Sequence, residues 1–212
     1  MSKINKILIG SNNKGKFKEI SELLPNELKK ISPNQFKIDS PEENGKTFIE
    51  NSEIKADFYC KKTNIVTIAD DSGLEIDCLN GMPGIFSSRW ADQYGGFENA
   101  MVEILKKVNK VNENKEIKNT KARFVCALTI KWPSGKKISE QGIIEGNILS
   151  KKGENGFGYD AIFTPKNYSI TFGEMDFKKK VSIDHRFLAY RKLQKKIKDY
   201  FYQKYFDLVD KY

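Results

Sequence analysis

Apolar residues recur along this chain at a few spacings, and each spacing predicts a kind of element. Lys6-Ile7-Leu8-Ile9-Gly10 is a short apolar run closed by glycine, which predicts a buried first strand. Phe17, Ile20, Leu23 and Leu24 then return at helical spacing until Pro25, so a helix follows the strand. Another strand is expected over residues 35–39. Thr47 and Glu50 have the spacing of a capping box, and Phe48, Ile54, Phe58 and Tyr59 supply the buried side of the helix it opens. Ile65-Val66-Thr67-Ile68-Ala69 reads as an interior strand and Leu74-Glu75-Ile76-Asp77-Cys78 as an alternating one. Between them Asp70-Asp71-Ser72-Gly73 is expected to turn the chain, because glycine permits backbone angles closed to other residues.

The second half continues in the same manner. Asn80-Gly81-Met82-Pro83-Gly84 is dense in turn formers, and Phe97, Met101, Ile104, Leu105 and Val108 mark an amphipathic helix. A polar, lysine-rich loop is expected over 111–120. Phe124, Cys126, Leu128 and Ile130 alternate as in a half-buried strand, which Pro133-Ser134-Gly135 turns into a second run over 138–149. From about Asp184 a last helix carries Phe187, Tyr190, Leu193, Ile197, Tyr200, Phe201 and Leu208 on one side. Strands alternating with helices, then a hairpin, predict an α/β fold on a mixed sheet. No repeat or linker divides the 212 residues, so one domain spanning 1–212 is expected.

Composition excludes several classes. Hydrophobic residues at 39% and charged residues at 31% are those of a globular protein, and no run approaches the roughly 18 apolar residues of a membrane span. A cytoplasmic protein without a membrane partner is expected. Cys60, Cys78 and Cys126 are odd in number and widely spaced, which suggests neither a disulfide framework nor a zinc site. The net charge, 37 − 28 = +9, invites a nucleic-acid partner. However, much of the excess is scattered lysine, as in Lys178-Lys179-Lys180, and no helix-turn-helix, zinc-finger or RNA-recognition signature accompanies it. No stable nucleic-acid partner is expected; a basic balance equally suits a polyphosphate pocket.

Chemistry concentrates in five places. Consecutive side chains on a strand point to opposite faces, so Asp70 and Asp71 cannot both enter one core. They suit either a turn that caps backbone amides or a Mg²⁺ site, since that ion takes hard oxygen ligands and is commonly held by one or two carboxylates plus substrate phosphates. Ser11-Asn12-Asn13-Lys14-Gly15-Lys16 lies between a strand and a helix N-terminus. There it is either a cradle for a triphosphate or a polar capping turn; it is not a P-loop motif. Glu42 and Glu43 sit in a loop before the second helix, and Lys55 within that helix either reaches an acid or phosphate or is solvated. In Gly156-Phe157-Gly158-Tyr159-Asp160, Phe157 is either a stacking platform for a planar base or a structural aromatic. Lys180, the lone His185 and the donor-only Arg186 complete the set.

These blocks, in this order, resemble the inosine triphosphate pyrophosphatases, also called XTP/dITP diphosphatases. The likeness runs from Ser11–Lys16 through Thr47-Phe48-Ile49-Glu50-Asn51, Ala69-Asp70-Asp71-Ser72-Gly73-Leu74 and Gly81-Met82-Pro83-Gly84 to Gly156–Asp160 and His185-Arg186. It implies an elongated mixed β-sheet with flanking helices, two lobes enclosing a nucleotide cleft, and a homodimer. It further implies Mg²⁺-dependent hydrolysis of ITP, dITP and XTP to the monophosphate and pyrophosphate. By the same resemblance Ser11, Asn12, Asn13, Lys14, Gly15 and Lys16 would hold the triphosphate, and Glu42 and Asp71 the metal, with Asp71 also the proton acceptor. Asp70, Lys16, Lys55 and Glu43 match further active-site positions. Ser72, Phe157, Gly158, Tyr159, Asp160 and Lys180 would contact substrate, and His185 and Arg186 the base. Asp184 stands where the family usually has Ser, and Ala161 where it usually has Pro. A related pyrophosphatase acting on modified pyrimidine or methylated nucleotides is the rival enzyme reading, and substrate comparison separates the two.

Overall fold

Ile7, Leu8 and Ile9 are buried at the centre of β1 (Lys6–Gly10), which pairs in parallel with two neighbours. On one side lies the three-residue β2 (Lys29–Ile31), with Leu8 opposite Ile31; on the other lies β3 (Thr67–Ile76), with Gly10 opposite Ala69. The computed structural model describes residues 5–205. Among these, six strands form one sheet in the order β2-β1-β3-β4-β5-β6, where β4 is Lys121–Lys131, β5 Lys137–Ile148 and β6 Phe163–Pro165. β6 runs antiparallel to β5, so the sheet is mixed. The helices are α1 (Lys14–Leu23), α2 (Phe48–Thr63), α3 (Ser87–Gln93), α4 (Phe97–Asn112), α5 (Phe177–Val181) and α6 (His185–Tyr205). Leu208 and the side chains of Tyr200 and Phe201, assigned from spacing to the last helix, lie outside the described residues.

Two expected elements are corrected. Residues 35–39 are not a strand: Pro33–Phe36 form a 3-10 turn, started by Ser32, whose hydroxyl accepts the Asn34 amide, and ended by Lys37 at φ 54°. The strand is instead Lys29–Ile31, whose two lysines hid it from a hydrophobic reading and suit a sheet edge. Nor does Asp70-Asp71-Ser72-Gly73 turn; Thr67–Ile76 is one unbroken strand. Gly73 is not among the residues at positive φ, and extended backbone is open to any residue.

The chain divides into two compact units, one formed by residues up to Asp71, Ala127–Gly142 and Arg186 onward, the other by Ser72–Cys126 and Ile143–His185. In the first, Leu8, Ile31, Tyr59 and Ile65 make a core cluster, and α2 is fastened by a polar relay. Ser52 Oγ lies 2.6 Å from Thr129 Oγ1, which donates to Ser139 Oγ at 2.9 Å, which donates in turn to Glu53 Oε1 at 2.7 Å. Buried hydroxyls that find partners avoid the penalty of an unmade bond, about 1–3 kcal/mol each. The second unit is held by Leu74, Ile76, Met101, Ile104, Phe124, Phe163 and Phe172, with the Phe124 ring 4.7 Å from that of Phe163 in an edge-on arrangement.

Candidate active site

Alternation along β3 sends its two acids to different partners, and both are buried. Asp70 Oδ1 meets Lys16 Nζ at 2.6 Å and Asp70 Oδ2 meets Arg186 Nε at 3.2 Å; Arg186 also donates through Nη1 to Glu19 Oε2 at 2.8 Å. Asp71 Oδ1 meets Lys55 Nζ at 3.2 Å, and that ammonium reaches Glu43 Oε1 at 2.7 Å. Lys55 projects from α2, whose start the sequence marks: Thr47 Oγ1 accepts the Glu50 amide at 3.1 Å, and the Glu50 carboxylate accepts the Lys46 amide at 2.6 Å.

Burial would lower the Lys55 pKa, but Asp71, Glu43 and Asp70 outweigh it, so the group is shifted up and stays charged. For Asp71 the balance is opposite: burial raises its pKa, and Lys55 and Lys16 offset only part of that. Asp71 Oδ2 is buried with no hydrogen-bond partner. An anionic oxygen in that condition fits a hard divalent cation. No group of three or more acidic, His or Cys side chains able to hold a metal forms among the described residues. Glu42 is exposed, one residue before Glu43.

The Ser11–Lys16 segment opens α1. Asn13 Oδ1 accepts the Lys16 amide at 3.0 Å, and Asn13 N donates to Ser11 Oγ at 3.2 Å. The capping and cradle readings are therefore compatible: Asn13 caps α1, while the dipole of this helix end favours an anion over Lys14 and Gly15. Asn12 turns the other way, donating to Ser40 Oγ at 3.2 Å.

In the second unit, Asp160 organises the glycine-rich loop. Its Oδ2 accepts the Phe157 amide at 2.8 Å and pairs with Lys180 Nζ, both carboxylate and ammonium being buried. Gly156 makes the approach possible: it sits at φ +76°, and a Cβ there would lie 2.1 Å from Asp160 Oδ2. Lys180 Nζ stands 4.8 Å from the centroid of the half-buried Phe157 ring. Residues 153–158 wall a cavity of about 350 Å³ together with Phe97 and Met101. His185 lies flat on Phe124, with centroids 4.8 Å apart and 12° between planes. Tyr159 faces inward, its ring edge-on to Phe97 and its hydroxyl donating to the Ser87 carbonyl at 2.8 Å. Tyr159→Phe is therefore expected to lower stability by about 1 kcal/mol in urea unfolding while leaving KM unchanged. A raised KM with unaltered stability would put the phenol on substrate instead.

Spacing did not reveal Glu19. It lies one helical turn from Lys16 on α1, and an acid beside the buried Ile20 was the available signal. Ser72, half-buried on β3, and the fully buried Asp184 are where the sequence order placed them, at the end of Asp70-Asp71 and the start of α6.

A family model described as the Ham1 family matches residues 7–196. The chain belongs to the Ham1 family. Among relatives, a Bacillus cereus protein named dITP/XTP pyrophosphatase is 39% identical over 206 residues, covering 95% of this chain and 98% of its own. One of the same name from Zymomonas mobilis is 37% identical over 190 residues, covering 89% and 90%. Among solved structures, the Staphylococcus aureus Ham1 protein superposes with a TM-score of 0.77 at 34% identity, covering 92% of this chain and 98% of that one. The Coxiella burnetii HAM1 protein gives 0.79 at 33%, with the same coverage. In this Ham1-family chain the adjacent His185 and Arg186 belong to different units, the one lying on an aromatic ring and the other on two carboxylates.

Proposed function

We propose that the chain hydrolyses deaminated purine nucleoside triphosphates, dITP, XTP and ITP, to the monophosphate and pyrophosphate. The observation that carries this reading is the buried, unpartnered Oδ2 of Asp71 beside the Lys55–Glu43 pair. Asp71 and Glu42 would hold Mg²⁺, which when bound supplies neutralisation of phosphate charge and a more acidic water. Asp71 or a neighbouring acid would accept the proton of the attacking water. Lys16 and Lys55, already aimed by Asp70 and by Asp71 with Glu43, would meet charge that develops on phosphate oxygens, and such preset charges lose little to reorganisation. No covalent intermediate is required, and the cysteines stay outside the chemistry.

Phe157 would stack on the base, with Lys180, Ser72 and the backbone of the 157–160 loop as further substrate contacts. A 6-keto oxygen accepts hydrogen bonds where a 6-amino group does not, so donors from His185 and Arg186 would favour hypoxanthine and xanthine over adenine. Arg186 would act from a guanidinium fixed by Glu19 and Asp70, and so lose little rotamer freedom. The resemblance adds a homodimer in the cytoplasm, the former checked by sedimentation. The test of function is pyrophosphate release from ITP, XTP, dITP, ATP and GTP with and without Mg²⁺. Release favouring the first three and requiring the cation is expected; equal rates on ATP, or none on any, would overturn the reading.

A further inference from the structure

One stripe of α2 grips the acidic loop at three points. Asn51, Lys55 and Tyr59 are spaced four apart, so they lie on one helix face. Asn51 Oδ1 accepts the Gly45 amide at 2.8 Å, Lys55 Nζ meets Glu43 at 2.7 Å, and Tyr59 Oη donates to Ser40 Oγ at 3.1 Å. Going up the helix, the partners go down the loop: 45, 43, 40. Ser40 Oγ also accepts from Asn12 Nδ2 at 3.2 Å, which ties the same loop to the segment that opens α1. Asn51 and Tyr59 are fully buried. Gly45 fits closely, since a Cβ there would lie 2.6 Å from Asn51 Oδ1 and 2.8 Å from Glu50 Cβ.

We infer that Asn51 and Tyr59 are positioning residues that set the metal affinity of this site by holding the strap that carries Glu42. The inference rests on the function proposed above. Glu42 stands between two side chains that α2 holds, Glu43 by Lys55 and Ser40 by Tyr59, and is itself exposed, so these tethers limit where its carboxylate can meet a cation. Neither Asn51 nor Tyr59 touches substrate in this role. Outer partners that orient a metal ligand matter by about 10–100-fold in affinity or activity.

The variants are Asn51→Ala and Tyr59→Phe, the second keeping the buried ring and so the fold. The Mg²⁺ concentration for half-maximal pyrophosphate release from dITP is expected to rise about tenfold in the first. In the second it rises about threefold, the share of one neutral hydrogen bond. In both, kcat at saturating Mg²⁺ stays within about twofold of the parent, in keeping with an effect on affinity alone. Binding of Mn²⁺ alone, read from the electron paramagnetic resonance signal of the free ion, weakens in the same order. Variants with a lower Tm but the parent's Mg²⁺ and Mn²⁺ affinities would overturn the inference and leave the proposed function standing. A parent chain that releases pyrophosphate without any divalent ion would overturn both.

Discussion

Asp71→Asn is expected to lower pyrophosphate release from dITP by about 10²–10⁴-fold, the usual contribution of a positioned base. The substitution keeps the shape of the side chain and removes only its charge and basicity. Its effect on folding should be small, for two reasons. Lys55 keeps Glu43 at 2.7 Å, so no ammonium is stranded in the interior. Burial also holds the Asp71 pKa above its ordinary value, so the ionised form is disfavoured where it sits, which offsets the attraction that Lys55 loses with the charge. The sign follows from linkage: a carboxyl whose folded pKa is raised opposes folding above its unfolded pKa. The two effects oppose each other, so thermal unfolding near pH 7 should give a Tm close to the parent's, measured alongside kcat/KM at saturating Mg²⁺. Near-parent activity would remove Asp71 from the mechanism, and a collapsed Tm would make its role structural.

What could be read from the sequence was what depends on residues within a turn or two of each other. The capping box at Thr47, the stripe of α4 and the two strands either side of Pro133-Ser134-Gly135 are of this kind, and each forms where spacing placed it. β2 was missed because an edge strand with two lysines has too little hydrophobic signal, and pairing with β1 decides it. The turn expected at Ser72-Gly73 failed for the same reason: glycine permits a turn without requiring one, and Leu8, Ile9 and Gly10 paired with 67–69 hold the strand's first half straight.

The site divides along the same line. Candidate residue types were visible as local blocks, but their partners were not. Asp70 meets Lys16 from α1 and Arg186 from α6, and the Arg186–Glu19 bond spans 167 positions. No spacing rule reaches that far. Asn51 and Tyr59 belong to a stripe that reads as an ordinary buried helix face until the loop lying along it is seen.

Lys180→Met is expected to produce the largest loss of stability, about 3–5 kcal/mol, because it strands one half of a buried ion pair. Lys180 is 2% exposed and Asp160 3%. Once the ammonium is gone, Asp160 Oδ2 keeps the Phe157 amide, and a neutral N–H does not replace a full positive charge. Methionine has nearly the length of the lysine stem and sits well against the Phe157 and Phe172 rings, so the loss is electrostatic rather than a cavity. A second substitution separates the two. Asp160→Asn in the Lys180→Met background removes the stranded charge, and the double variant should recover at least half of the loss. Urea unfolding of the parent, both single variants and the double variant closes the cycle. Additive losses, or a single-variant loss below about 1 kcal/mol, would mean that the pair behaves as a solvated surface bridge. Strong coupling would instead mean that the loop bearing Phe157 is held in place by charge, and its stability should then follow the Lys180–Asp160 pair rather than the aromatic contacts around it.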